Sequence, residues 1–253
     1  MTRINPIFTR VYVNGYDLSG SFNNVGTVGV EHQDDGGAAY SDGVKNYTIG
    51  KADIKAGPIN AYLSPSASTD IHELLNAGNV EIDLMVGFGS DSVPVAGDPM
   101  FAWKMKQKSY KGESSGTVGV TIDISGASPN SPKTYDKPFG NIVHAKGEET
   151  AANTAAGIDD NGASSALGGI FVYQLFSSDG TVTLSLEEAS TNTNANFAAL
   201  TGATSGSIDA TTTPKSGMVA LATTATVKRY IRWQLAFDTA STATFALGFI
   251  RGS

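Results

Sequence analysis

Across residues 227–251 the apolar side chains recur at every second position, and few folds accommodate that period. Val227, Ile231, Trp233, Leu235 and Phe237 share one side with Arg229, while Lys228, Tyr230, Arg232, Gln234 and Ala236 share the other. After the polar stretch 238–241 the alternation resumes, with Ala243, Phe245, Leu247 and Phe249 opposite Thr242, Thr244, Ala246 and Gly248. A helix would spread such side chains around its axis, whereas a strand sends them to two faces. The segment therefore reads as two half-buried strands, and the four-residue polar loop between them has hairpin length.

The same period recurs along the chain. In 80–88, Val80, Ile82, Leu84, Val86 and Phe88 alternate with Glu81, Asp83, Met85 and Gly87. Residues 100–111 and 117–124 alternate likewise and are joined by the turn 113–116. Residues 170–176 are apolar on both faces, as in a central strand, and Ser178-Asp179-Gly180 turns them into an alternating 181–187. Shorter strands are expected at 10–13, ahead of the Asn14-Gly15 turn, and at 25–30, 46–54 and 218–221. Residues 31–43 read as a polar loop around Asp34-Asp35-Gly36-Gly37. One short helix is expected at 70–77, where Asp70 and Glu73 form a capping box and Gly78 a stop. Without helical spacers between the strands, the expected class is all-β, a meander or sandwich.

Two tracts poor in large apolar residues, 126–138 and 145–169, suggest a boundary. The expected organisation is a β domain over 1–140 with one short helix, an Ala/Gly/Thr-rich linker over 141–168, and a second β-sandwich or jelly roll over 169–253. Phe197 and Leu200 read as isolated anchors in a polar stretch reaching Ser216.

The 253 residues are 40% hydrophobic, enough for a packed core, but only 16% charged. Gly, Ala, Ser and Thr take the place of charge, which suits burial against further copies of the chain. A net charge of −7 argues against tight binding to a phosphate backbone. The absence of cysteine removes disulfides, thiolate metal sites and cysteine nucleophiles. No stretch has the apolar length of a signal peptide or a bilayer span, so synthesis and folding in a cytoplasm are expected.

Candidate chemistry is sparse. His32, His72 and His144 are dispersed over a loop, the short helix and the linker; their convergence on a metal is set against ordinary placement. No Gly-x-Ser-x-Gly elbow marks a serine nucleophile. Asp159-Asp160-Asn161-Gly162 begins like a calcium loop but has Leu167 and Ile170 at the ninth and twelfth positions, so it reads as a turn. Asn46-Tyr47-Thr48 matches a glycosylation acceptor only formally. Lys104, Lys106 and Lys108 form a basic stripe that meets either a charged partner or solvent; Glu81 and Asp83 are its candidate cross-strand partners. Trp103 and Trp233 sit on apolar faces and read as core in preference to sugar platforms. The expectation is a non-enzyme with no metal and no cofactor.

The order of these motifs resembles the tail tube (major tail) proteins of long-tailed bacteriophages. The resembling pieces are Val11-Tyr12-Val13-Asn14-Gly15-Tyr16-Asp17-Leu18-Ser19-Gly20, Asp42-Gly43-Val44-Lys45-Asn46-Tyr47-Thr48-Ile49, the helix 70–77, and the strand pair 101–110 and 116–124. The resemblance implies a virion protein of the phage tail, made in the host cytoplasm. It would assemble with itself as stacked homo-hexameric rings, meet other tail proteins, and let DNA pass without specific binding or any membrane partner. It also implies an inter-ring contact loop containing Asp34, Asp35, Gly36, Gly37 and Tyr40. The second half is similar to accessory β-sandwiches of phage virion proteins, through Gly168-Gly169-Ile170-Phe171-Val172-Tyr173, Asp179-Gly180-Thr181, Val227-Lys228-Arg229-Tyr230-Ile231-Arg232 and Phe245-Ala246-Leu247-Gly248-Phe249. That likeness keeps open an alternative: a capsid decoration or host-attachment protein that binds glycan.

Overall fold

The computed structural model describes residues 8–36, 47–62, 81–89, 92–115, 117–127, 137–159 and 163–252. The architecture is all-β. The first half contributes β1 (Thr9–Val13), β2 (Tyr16–Asp17), β3 (Phe22–Asn24), β4 (Thr27–Gly36), β5 (Tyr47–Tyr62), β6 (Glu81–Phe88), β7 (Pro99–Ser115) and β8 (Thr117–Ala127). The second contributes β9 (Phe139–Glu149), β10 (Ile158–Asp159), β11 (Gly169–Ser178), β12 (Thr181–Ala189), β13 (Ala198–Asp209), β14 (Lys215–Ala220), β15 (Tyr230–Phe237) and β16 (Ala243–Arg251). A one-turn 3₁₀ segment lies at Asn194–Asn196. The helix expected at 70–77 falls outside the described residues.

One sheet runs β14-β11-β16-β9-β7-β6-β1-β2, and β8, β5, β4 and β3 branch from β7. A second, smaller sheet runs β10-β15-β12-β13. The large sheet thus crosses the expected domain boundary. The tract expected as a linker from 141 opens as β9, which pairs with β7 of the first half and β16 of the second. Residues 142 and 143 supply the reason: Ile142 enters the first core and Val143 the second.

Strands β11 and β16 show how the two cores share one sheet. Ile170 and Val172, with Ala246 and Ile250, face the first core. Phe171, Tyr173 and Leu175, with Phe245, Leu247 and Phe249, face the second. Each strand is therefore apolar on both sides, as strands covered on both faces must be. On β6 and β7, cross-strand partners share a face, so Val86–Phe101, Leu84–Trp103 and Ile82–Met105 stand opposite Met85–Ala102 and Gly87–Met100. The latter face meets β16 where Gly248 leaves room for the Met100 and Met85 side chains.

Two expectations are corrected here. Strand β15 alternates as expected, whereas β16, expected to be half-buried, is covered on both faces; nor are the two a hairpin, since β15 belongs to the small sheet and β16 to the large one. Strands β11 and β12 part in the same way. Alternation fixes which side chains share a face, not which strand lies alongside. Asp179 braces both corners, its carboxylate accepting from the Ser241 amide (2.7 Å), the Thr242 amide (2.8 Å) and the Ser241 hydroxyl (2.5 Å). The second correction concerns the polar loop 31–43. Its residues 31–36 continue β4, with Asp34, Asp35 and Gly36 opposite Ile49, Thr48 and Tyr47 of β5. Ladder pairing along β5 outweighs the turn preference of Asp-Asp-Gly. Gly37 and Tyr40 lie outside the described residues.

Candidate functional site

The basic stripe is tied into the sheet. Register places Lys104 opposite Asp83 and Lys106 opposite Glu81, and Lys104 Nζ lies 3.0 Å from Asp83 Oδ1. The side chain of Lys108 is outside the described residues. Of the histidines, His144 is buried on β9, His32 belongs to β4, and His72 lies outside the described residues. Among the described residues no group of three His, Asp or Glu side chains is placed to hold a metal ion. Trp103 is buried in the first core, and Trp233 packs edge-on against His144 and Phe245. Asp159 is an ion-pair partner of Arg229 at 2.6 Å; Asp160, Asn161 and Gly162 are undescribed.

What the structure does bring together is a polar junction between the halves, built on the β1–β2 turn. Asn14 (φ +52°) and Gly15 (φ +82°) are both left-handed, as a tight two-residue hairpin turn requires. The turn docks on β11 and β14. Gln174, fully buried on β11, accepts from the Gly15 amide at 2.6 Å and donates from Nε2 to the Asp83 carbonyl at 3.0 Å. Asn14 Oδ1 accepts from the Asp83 amide (2.8 Å), and the Asn14 amide donates to the Asp83 carbonyl (3.2 Å). The Ser216 hydroxyl, beside Gln174 in the β11–β14 register, donates to Asp83 Oδ2 at 2.8 Å. Asp83 is thus held by Lys104 from the adjacent strand β7 and by Ser216 from β14 at the far end of the same sheet. Burial, and secondarily the Asp83 charge, pushes the Tyr173 hydroxyl above its usual range.

Beside this junction lies a solvent-open cleft of about 470 Å3. Gly15, Tyr16 and Asp17 form one wall; Lys146 of β9 and Phe176 of β11 form the other. Thr212, Thr213 and Pro214, leading into β14, close one side. Lys146 Nζ bridges the walls, 2.8 Å from Asp17 Oδ2 and 4.8 Å from the centre of the Phe176 ring. Tyr12 meets the same ring edge-on at 5.1 Å. Burial alone would raise the Asp17 carboxyl, but hydrogen bonds from Lys146 and Ser19 outweigh it and hold the group below the usual carboxylate range. Tyr12 moves the other way: burial, then the nearby Asp17 charge, pushes its hydroxyl well up.

Two further polar clusters serve the second core. Arg232, buried on β15, pairs with Glu187 at 2.6 Å, donates to the Ala155 carbonyl and Asn194, and stacks over Phe197 at 4.3 Å. Gln234 beside it reaches the Asn153 carbonyl and Glu187. These bonds fasten the loops around 155 and 194 onto the small sheet. His144 stacks on Phe245 at 4.4 Å and shares a 2.9 Å hydrogen bond with Glu149. Burial lowers its pKa, and the Glu149 contact and Phe245 carbonyl only partly offset the effect.

Sequence reading missed Gln174, Ser216, Lys146 and Asp17 because they meet only through long-range pairing. Asn14-Gly15 was the one visible signal, as a turn. No family model matches the chain, and no curated protein matches it. Among solved structures it aligns with the SPP1 Dit (gp 19.1) protein, described as a paradigm of the hub adsorption apparatus in Gram-positive infecting phages. The alignment spans 96% of this chain and 99% of that one, at 13% identity and a TM-score of 0.29. A superposition that loose carries no argument about function.

Proposed function

We propose that this chain is a structural subunit of a bacteriophage tail, located in the virion and working by association with copies of itself and with other tail proteins. The observation that supports this reading is the ladder β4-β5-β8-β7. Strand β7 has 17 residues. Its first part, through Lys106, pairs with β6 inside the core, and the rest, through Ser115, pairs with β8. At about 3.3 Å per residue β7 is about 56 Å long, much longer than β6 can accompany. The ladder ends on β4, whose one ladder partner among the described residues is β5. Among the described residues the outer edge of this ten-residue strand is unpaired, and such an edge is a template for a strand from another chain.

In its finer form the proposal is a tail tube subunit, assembled as stacked six-fold rings around a conduit for the genome. Asp34 and Asp35 then belong to a strand edge offered to a neighbour. A net charge of −7 suits a lumen that must not retain phosphate. The test is negative-stain electron microscopy and sedimentation of the purified chain over a wide concentration range. Rings or tubes with a central hole are expected for the finer form, and any closed or filamentous self-assembly supports the coarser one. A monomer at every concentration overturns the self-association on which both rest.

A further inference from the structure

We infer that the cleft between the β1–β2 turn and the β9–β11–β14 surface is a binding site for a neutral sugar, one or two pyranose rings long. The inference goes beyond the tail reading and does not depend on it. Its volume, about 470 Å3, falls in the range of small-molecule sites. Its lining combines the two surfaces that a pyranose presents. Tyr16 offers aromatic carbon to the C–H face of the ring, and the half-buried Phe176 adds apolar surface beneath Lys146. Asp17 and Lys146 offer an acceptor and a donor side by side, which a pair of adjacent sugar hydroxyls matches. The exposed hydroxyls of Thr212 and Thr213 add further donors and acceptors at the mouth.

The same chemistry argues against other ligands. An apolar ligand would strip water from the Asp17–Lys146 pair without replacing its hydrogen bonds, which is costly. A hydroxyl, donor and acceptor at once, replaces both. An anion meets no surplus positive charge, because Lys146 is already 2.8 Å from the ionised Asp17 and the chain carries −7 overall. The walls are also fixed in advance. Gly15 is held by buried Gln174, and Phe176 is wedged between Tyr12 and Lys146. Prior fixing lowers the entropy that binding must overcome.

The site is tested on the purified full chain by saturation-transfer NMR and calorimetric titration. The neutral probes are maltotriose, cellotriose and N,N′-diacetylchitobiose, and trigalacturonate is the anionic control. Saturable binding of at least one neutral probe, with a Kd of about 0.1–10 mM, is expected. Thr213→Arg fills the mouth from an exposed position and should weaken that binding at least tenfold while leaving the unfolding midpoint unchanged. Tyr16→Ser, which removes the aromatic wall, is a second variant with the same expected loss. Absence of binding to all three neutral probes overturns the inference. So does equal binding of trigalacturonate, or binding that neither substitution weakens. The readout is binding by the chain in solution, so failure here leaves the assembly proposal standing, and failure of assembly leaves the site standing.

Discussion

Gly15→Ala is the sharpest probe of how the two halves meet. A Cβ on Gly15 would lie 2.7 Å from Pro214 Cβ, 2.8 Å from the Lys215 amide nitrogen and 2.9 Å from the Leu175 carbonyl oxygen. Two of those neighbours are backbone, so no rotamer change relieves the collision. Gly202, on β13, has nearly the same φ (+87°) with nothing within 4 Å of its would-be Cβ. Gly202→Ala therefore isolates the left-handed backbone penalty, about 1–2 kcal/mol. Gly15→Ala adds overpacking of about 1–3 kcal/mol and strains the Gln174 bond, worth about 1 kcal/mol. The expected totals are about 1–2 kcal/mol for Gly202→Ala and about 3–6 kcal/mol for Gly15→Ala. Urea unfolding followed by fluorescence, with the slope held common, measures both. If the two variants differ by less than about 0.5 kcal/mol, the turn is not packed on β11 and β14 as described.

Other perturbations test the remaining clusters. Gln174→Leu keeps the volume but leaves the Gly15 amide and strips one partner from the Asp83 carbonyl; a loss of about 2–4 kcal/mol is expected, and a loss under about 1 kcal/mol in the same assay refutes the seam. Arg232→Met leaves Glu187, whose side chain keeps 20% of its exposure, with the neutral Gln234 amide in place of its ion pair, so unfolding free energy should drop by about 2–3 kcal/mol; a neutral or stabilising effect refutes that account. His144 is lowered in the folded state, so the unfolded chain binds the proton first. Stability should therefore fall as pH drops below about 6.5 towards the lower folded value, and His144→Gln should flatten that dependence in urea midpoints; an unchanged slope refutes the assignment. The Asp179 carboxyl is pulled down to about 2 by the Ser241 hydroxyl and the Thr242 and Ser241 amides. Asp179→Ala should speed hydrogen exchange at Ser241 and Thr242, and unaltered exchange there would refute the brace.

The strands themselves were legible wherever apolar residues alternate over seven or more positions, as in β6, β7, β12, β15 and β16. Their partners were not. Residues 230–251 read as a hairpin because a short polar loop joins two alternating runs, yet the loop is a corner between sheets. Strand β9 was hidden because Ile142 and Val143 are its only strong apolar pair, with Gly, Asn, Lys and Glu around them. Strand β13 was hidden for a similar reason: Leu200, Ala203 and Ile208 are its inward residues, and two bulges break their spacing. Residues 31–36 carry turn chemistry that only the neighbouring β5 overrides. The cleft was least legible of all, since its walls come from four segments up to about 200 residues apart, and loop closure over such spans leaves no local pattern. The cross-strand match of Asp83 with Lys104 was foreseeable, because opposite charges on adjacent alternating strands identify each other.

The position of β16 sets the order in which this chain can become a folded object. It is the last of the described strands in sequence, yet in the large sheet it lies between β11 and β9. Until residues 243–251 have left the ribosome, β9 and β11 are two edges without the strand that joins them. Phe171 and Leu175 then lack their neighbour on one side, and Met85 and Met100 lack theirs on the other. Neither core can close early, so folding must wait for synthesis to pass Arg251 and must then find its pairings across the whole chain. Topologies of that kind fold slowly and expose sticky edges while they wait. A nascent chain stalled before β16 lacks the strand that joins β9 to β11 and leaves both of those edges unpaired.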